Sequence, residues 1–268
     1  MRTFEFTGLR RVLPLAAALA WPTAVLAQAP VTDWPNLARF RAMNAELPLP
    51  ASAENRVVFM GNSITETWAR SFDQFFPGKP YIGRGISGQT TPQMLLRFRQ
   101  DVIALKPKVV VILGGTNDIA GNTGPSTLEM IEDNLASMAE LATANGIRVV
   151  MASVLPVYDY PWRKGLDPAA KIVALNAWIK DYAAKHDAVY VDFHTPMADE
   201  RQGMKAELSP DGVHPNAAGY AIMDPLVEQA IAEAAPRLKN SRTTPRTTQG
   251  TRAHFRHELD AGRTIPAE

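Results

Sequence analysis

Apolar residues in this chain fall in short runs separated by amphipathic stretches. Five runs read as strands: Val57–Met60, Tyr81–Ile82, Val109–Leu113, Ile147–Ala152 and Val189–Val191. They are short and rich in Val and Ile, as buried strands are. The stretches between them repeat at helical spacing. Met94, Leu95, Phe98 and Val102 share a face behind Thr91 as the expected cap, with Pro92 in the first turn. Ser126 and Glu129 stand at capping-box spacing ahead of Leu128, Ile131, Leu135 and Met138. Asp167-Pro168 opens another helix through Ile172, Leu175, Ile179 and Tyr182. A last helix is expected from Pro215 towards Ala235, and a short amphipathic one from Asp33 to Leu47.

Strands that alternate with helices imply an α/β fold with a parallel sheet covered on both faces. Val109-Val-Val-Ile-Leu113 carries no polar residue and is expected at the centre of that sheet.

Composition narrows the class. The chain has 268 residues, of which 46% are hydrophobic and 21% charged, a globular balance. A formal net charge of +1 gives no reason to expect nucleic acid or an acidic membrane as partner. Cysteine is absent, which removes disulfides, thiolate metal sites and thiol nucleophiles together. The two ends differ from the middle. Arg2, Arg10 and Arg11 precede an apolar run, Val12 to Leu26, and Val25-Leu26-Ala27 offers small residues for cleavage. Residues 1–27 therefore read as an export signal, too short to span a membrane comfortably. From Lys239 the apolar period is lost and Arg242, Arg246, Arg252 and Arg256 appear. The expected organisation is a signal over 1–27, one domain over 28–238, and a basic tail over 239–268 read as disordered. A secreted or periplasmic protein without stable membrane insertion follows.

Four polar clusters carry the candidate chemistry. Gly61-Asn62-Ser63-Ile64-Thr65 follows the first strand, Gly83-Arg84-Gly85-Ile86-Ser87-Gly88 the second, and Gly114-Gly115-Thr116-Asn117-Asp118 the third. Asp211-Gly212-Val213-His214-Pro215 precedes the last helix. Ligands of open parallel sheets bind beyond the carboxyl ends of the strands, where these clusters fall. A serine hydroxyl needs a base, and imidazole is suited to that near neutral pH. Acyl transfer also needs donors for an oxyanion, which glycine N–H groups and an asparagine amide supply.

These four segments resemble the blocks of the SGNH hydrolases, the GDSL esterases and lipases, over about Val57 to Ala232. The resemblance implies a three-layer α/β/α fold with a flavodoxin-like, five-stranded parallel sheet. It implies Ser63 as nucleophile and His214 as base, oriented by Asp211. The Gly88 N–H, the Asn117 amide and the Ser63 N–H become the oxyanion donors. No cofactor or metal is implied. The Gly115-Thr116-Asn117-Asp118 run is similar to the subgroup of platelet-activating-factor acetylhydrolases and carbohydrate acetyl esterases. The expected substrate is thus a small-molecule or glycan ester with a short acyl group. A lysophospholipase- or thioesterase-like lipid acylhydrolase, and a glycan-binding module without catalysis, stand as alternatives. The sequence departs from the family at Asn62, where the block usually has Asp, and at Gly83, where it often has Asn.

Other patterns are weaker. Gly83-x-Gly85-x-x-Gly88 fits a dinucleotide fingerprint, but no acidic residue lies near the required offset of about 20. The Gly-x-Ser-x-Gly elbow fails because Thr65 takes its last position. His194 is a candidate for the border of the crevice, and His186 for a solvated helix end. Trp68, Tyr158, Tyr160 and Trp162 are candidates for lining the acyl or alcohol side, or for packing.

Overall fold

The computed structural model describes residues 33–240, with side chains to 235. Both the segment expected to be an export signal and nearly all of the basic tail lie outside the described residues. Five parallel strands form one sheet in the order β2-β1-β3-β4-β5. They are β1 (Val57–Gly61), β2 (Tyr81–Gly85), β3 (Val109–Leu113), β4 (Arg148–Ala152) and β5 (Val189–Val191). Around them lie α1 (Arg41–Glu46), α2 (Ser63–Ala69), α3 (Phe72–Phe75), α4 (Thr91–Asp101), α5 (Thr116–Ile119), α6 (Leu128–Ala144), α7 (Pro168–Lys185), α8 (His194–Met197) and α9 (Ala217–Asn240).

The central strands β1 and β3 are buried on both faces, and the side chains of the sheet alternate between two cores. Val58, Met60, Val110, Ile112, Val149 and Met151 face Met94 and Phe98 of α4, Ile131 and Leu135 of α6, and Ile172 and Leu175 of α7. Val57, Phe59, Val109, Val111, Val150 and Val191 face Ile64 and Trp68 of α2, Met197 of α8, and Met223 and Val227 of α9. This is the three-layer α/β/α arrangement. The winding direction reverses between β1 and β3, and that switch point is where open sheets of this kind leave a crevice.

Local details depart from the sequence expectations. Asp33 to Leu47 is helical only over Arg41–Glu46. Glutamine side chains from Gln89 and from α4 take the carbonyls a helix would use internally: Gln93 bonds Trp34 O, Gln89 bonds Pro35 O and Gln100 bonds Leu37 O, at 2.7–2.8 Å. The cap of α4 is Thr90, whose N–H donates to Gln93 Oε1 at 3.1 Å. Thr91 is drawn away to Asp118. Helix α6 is capped by Thr127, which accepts from Met130 N at 3.2 Å, so the cap sits one residue later than Ser126 and, with Met130 at the third helical position, is a single bond and not a box. The last helix begins at Ala217, because Asn216 Oδ1 accepts the Gly219 N–H at 3.1 Å and holds the first turn there.

Strand β2 also runs further than Tyr81–Ile82. It absorbs Gly83-Arg84-Gly85, expected as loop. These glycines belong to packing: a Cβ at Gly83 would lie 2.1 Å from the Ala69 Cβ, and one at Gly85 2.2 Å from the Glu66 N. Helix α2 therefore lies directly on β2, and no side chain fits between them.

Candidate active site

The loops at the carboxyl ends of β1, β2 and β3 and the turn before α9 converge. Asn62 is almost wholly buried and caps α2, its Oδ1 accepting the Ile64 N–H at 3.1 Å. The block-one turn thus keeps its cap with Asn in place of Asp. Ser63 is the first helical residue, and its Oγ lies 2.9 Å from His214 Nε2. His214 Nδ1 lies 2.7 Å from Asp211 Oδ2. The other carboxylate oxygen accepts the backbone N–H groups of Val213 and His214 at 2.9 and 2.8 Å. Burial alone would raise this carboxyl. The hydrogen bonds from the His214 backbone and ring and from Val213 outweigh it and hold it at about 2. The turn is tied from below by Ser209, whose Oγ donates to His214 O at 2.7 Å and accepts the Gly212 N–H at 2.9 Å.

Asn117, buried in α5, donates one Nδ2 hydrogen to Gln89 O at 2.8 Å, next to Gly88. Its second amide hydrogen has no acceptor among the described contacts. Gly88 is exposed with φ +78°, and nothing lies within 4 Å of where a Cβ would stand. Glycine is required there by the left-handed backbone and not by space. The Gly88 N–H also meets no protein acceptor among the described contacts.

Asp118 turns away from this line. Both its oxygens accept the Thr91 N–H, at 2.9 and 3.1 Å, and Oδ1 accepts the Thr91 hydroxyl at 2.6 Å. It fastens the start of α4 to α5. Burial pushes its carboxyl up to about 6, with the Thr91 hydrogen bonds opposing. A carboxyl raised in the folded state binds more protons there than in the unfolded chain. This group's contribution to stability therefore falls as pH climbs from about 4 to about 6. Moving a pKa from 3.8 to about 6 corresponds to about 3 kcal/mol. Asp118→Asn should accordingly gain on the wild type by up to about 3 kcal/mol between pH 4 and pH 7 in urea unfolding. An equal difference between the two proteins at both pH values would remove this account of Asp118.

The aromatic candidates separate. Trp68 is core, with its Nε1 donating to Asp224 at 2.8 Å, and Tyr160 is core, its OH donating to Thr116 O at 2.9 Å. Trp162 is 46% exposed, and its ring centroid lies 6.3 Å from the His214 ring. Its indole N–H donates to Asn122 Oδ1 at 3.2 Å. Tyr158 is exposed, with the Arg201 guanidinium 4.4 Å above its ring. His194 is buried behind Ser153, whose Oγ accepts its backbone N–H at 3.0 Å, and it makes none of the contacts of the Ser63 line. His186 is exposed and stacks on Tyr182 at 4.0 Å. A cavity of about 460 Å³ lies at the opposite end of the strands, lined by Val57, Pro80, Val109 and Ile231, and holds none of the four clusters.

Several residues around the site had no clear signal in the sequence. Asn122 donates its N–H to Asn117 O at 3.0 Å and its Nδ2 to Gly88 O at 3.3 Å, so it joins Trp162 to both loops. Arg97 is fully buried, bonded to Gln89 Oε1 at 2.6 Å, Asp101 at 3.1 Å and Gly61 O at 2.9 Å. Its placement beside Met94 and Phe98 on an apolar helix face, four residues before Asp101, was the available hint. Glu66, in the first turn of α2, accepts from the Ser87 N–H and hydroxyl and was not singled out by any sequence pattern.

Residues 59–222 match the profile of the GDSL-like Lipase/Acylhydrolase family. A GDSL-like lipase of known crystal structure from Bacteroides thetaiotaomicron is 48% identical and superposes with a TM-score of 0.73, covering 75% of this chain and all of that one. Esterase TesA of Pseudomonas aeruginosa is 31% identical over 160 residues, 58% of this chain and 73% of its own length. The uncharacterized lipoprotein YqeF of Bacillus subtilis is 33% identical over 81 residues. This chain spans 33% of that lipoprotein's length.

Proposed function

The chain belongs to the GDSL-like lipase/acylhydrolase family, a family of carboxylic ester hydrolases, and from that premise we propose that it removes short acyl groups, acetyl above all, from carbohydrate or small esters. The reaction runs through an acyl-enzyme on Ser63. His214 Nε2 takes the hydroxyl proton as Oγ attacks the ester carbonyl. The oxyanion accepts from the N–H groups of Ser63 and Gly88 and from the free hydrogen of the Asn117 amide. His214 hands its proton to the departing alcohol. Water then repeats both steps on the acyl-enzyme and releases the acid. Asp211 remains ionised throughout and steadies the imidazolium. Asn62 caps α2 without adding a negative charge beside the oxyanion.

What supports this reading is the unbroken line Ser63–His214–Asp211, at 2.9 and 2.7 Å. A partly exposed imidazole–carboxylate pair, as this one is, needs no such hydroxyl at its other nitrogen for stability. A carbohydrate ester is supported by the setting: Trp162 offers an exposed flat face beside His214, and such a face suits a sugar ring. Export is part of the same proposal and rests on the basic, apolar and small residues over 1–27. Among the described residues no helix is long and apolar enough to cross a membrane.

A fluorophosphonate probe should label Ser63 in the folded protein, and acetylated glycans should turn over faster than esters of long acids. Absence of labelling would favour a binding module over an enzyme. Asn117→Ala should reduce kcat by about 10²–10³-fold, the usual cost of one oxyanion donor. A loss below about threefold would withdraw Asn117 from that role.

A further inference from the structure

The loop from Ile86 to Thr90 carries one proposed oxyanion donor, yet Gly88 itself is exposed and has no side chain to anchor it. A backbone N–H stabilises a transition state only when it is aimed beforehand, and glycine is the residue least able to aim itself. Apart from the bond from Asn122 Nδ2 to the Gly88 carbonyl at 3.3 Å, the holding comes from its neighbours, and both neighbours are held. On one side, the Ser87 N–H and Ser87 hydroxyl both donate to Glu66 Oε2, at 2.7 and 2.5 Å. On the other, Gln89 is gripped by Arg97 through its side chain and by Asn117 through its carbonyl.

The two grips differ in kind. Arg97 and Gln89 belong to the buried framework. Glu66 lies at the surface of α2, three residues after Ser63, and its backbone N–H donates to Asn62 O at 2.9 Å. Its second oxygen is flanked by Arg39 at 3.3 Å and Arg70 at 3.6 Å. These cations offset a carboxylate that would otherwise oppose negative charge nearby. The bonds from Ser87 and the Arg39 charge outweigh burial and keep this carboxyl below its ordinary range.

We infer that Glu66 is a positioning residue for the ester hydrolysis proposed above, tying the loop that presents the Gly88 N–H to the helix that presents Ser63. The inference rests on that proposal for its catalytic meaning. Glu66 then links nucleophile and oxyanion donor through one side chain, alongside the buried grip on Gln89. Glu66 touches neither substrate nor reacting atoms; it acts through Ser87.

The test uses the full chain, a short-chain nitrophenyl ester and hydrogen exchange of the segment 86–90. Glu66→Ala should lower kcat by about 10–100-fold with KM within about twofold, because a misplaced donor is lost from the transition state and not from substrate binding. Glu66→Gln keeps an acceptor oxygen for Ser87 and should stay within about fivefold of wild type. Exchange over 86–90 should quicken in Glu66→Ala and remain near wild type in Glu66→Gln. Wild-type kcat in Glu66→Ala overturns the inference, as does a Gln variant as impaired as the Ala variant. A wild-type protein that turns over no ester overturns the hydrolase proposal instead. In that case unchanged exchange in Glu66→Ala still overturns the tie between Glu66 and the loop.

Discussion

Ser63→Ala is expected to lower turnover of a short-chain nitrophenyl ester by about 10⁵–10⁶-fold while the protein stays folded. The size of the loss follows from the chemistry. Without the hydroxyl no acyl-enzyme forms, and only direct attack by water, helped by the oxyanion donors, remains. The survival of the fold follows from the local structure. Ser63 opens α2, but the cap belongs to Asn62, whose Oδ1 holds the Ile64 N–H. The Ser63 hydroxyl contacts His214, and His214 is held in place independently by Asp211 and by Ser209. Removing one half-buried oxygen there should shift the unfolding free energy by less than about 1 kcal/mol. Steady-state kinetics and urea unfolding of the same preparation read both numbers. Retention of more than about one hundredth of wild-type turnover would take the nucleophile's role from Ser63.

Asp211→Asn should cost about 10³–10⁴-fold, close to the effect of losing the base itself. The orientation of the new side chain is dictated by the turn. One carboxylate oxygen receives the backbone N–H groups of Val213 and His214, so the asparagine carbonyl must take that position. The amide nitrogen is then left facing His214 Nδ1, where Asp211 Oδ2 now sits at 2.7 Å. An N–H donor at that point forces the proton onto Nε2 and denies Ser63 its acceptor. The geometry survives and the tautomer is wrong. Labelling of Ser63 by a fluorophosphonate should slow in step with kcat, since both need the serine proton removed. Labelling at the wild-type rate would show that Asp211 does not govern the imidazole.

Much of the framework is legible along the chain. The five apolar runs are the five strands, and their alternation with helical periods is the parallel, doubly covered sheet. Boundaries were less legible wherever a distant side chain competed for a backbone group. Thr127 caps α6 where the spacing favoured Ser126. The segment from Trp34 to Leu37 surrendered its carbonyls to three glutamines. Gly83 and Gly85 looked like loop because glycine is a poor strand former, but helix α2 needs their missing side chains.

The sequence by itself determined which segments meet at the crevice. Chemistry-bearing residues placed directly after successive parallel strands must gather at one end of the sheet, whatever the details of packing. Asp211 and His214 are also neighbours in the chain, so one turn suffices to bring them together. What only the tertiary structure decided is everything that joins residues far apart along the chain. Asp118 went to Thr91 and not to the crevice, Arg97 was buried against Gln89, and Trp162 came to stand beside His214. Glu66 was matched to the Ser87 loop in the same way. Periodicity records which face of an element is buried; it holds no information on which polar group from another element will meet it there. That pairing is set when the layers close, by the need of each buried donor and acceptor for a partner.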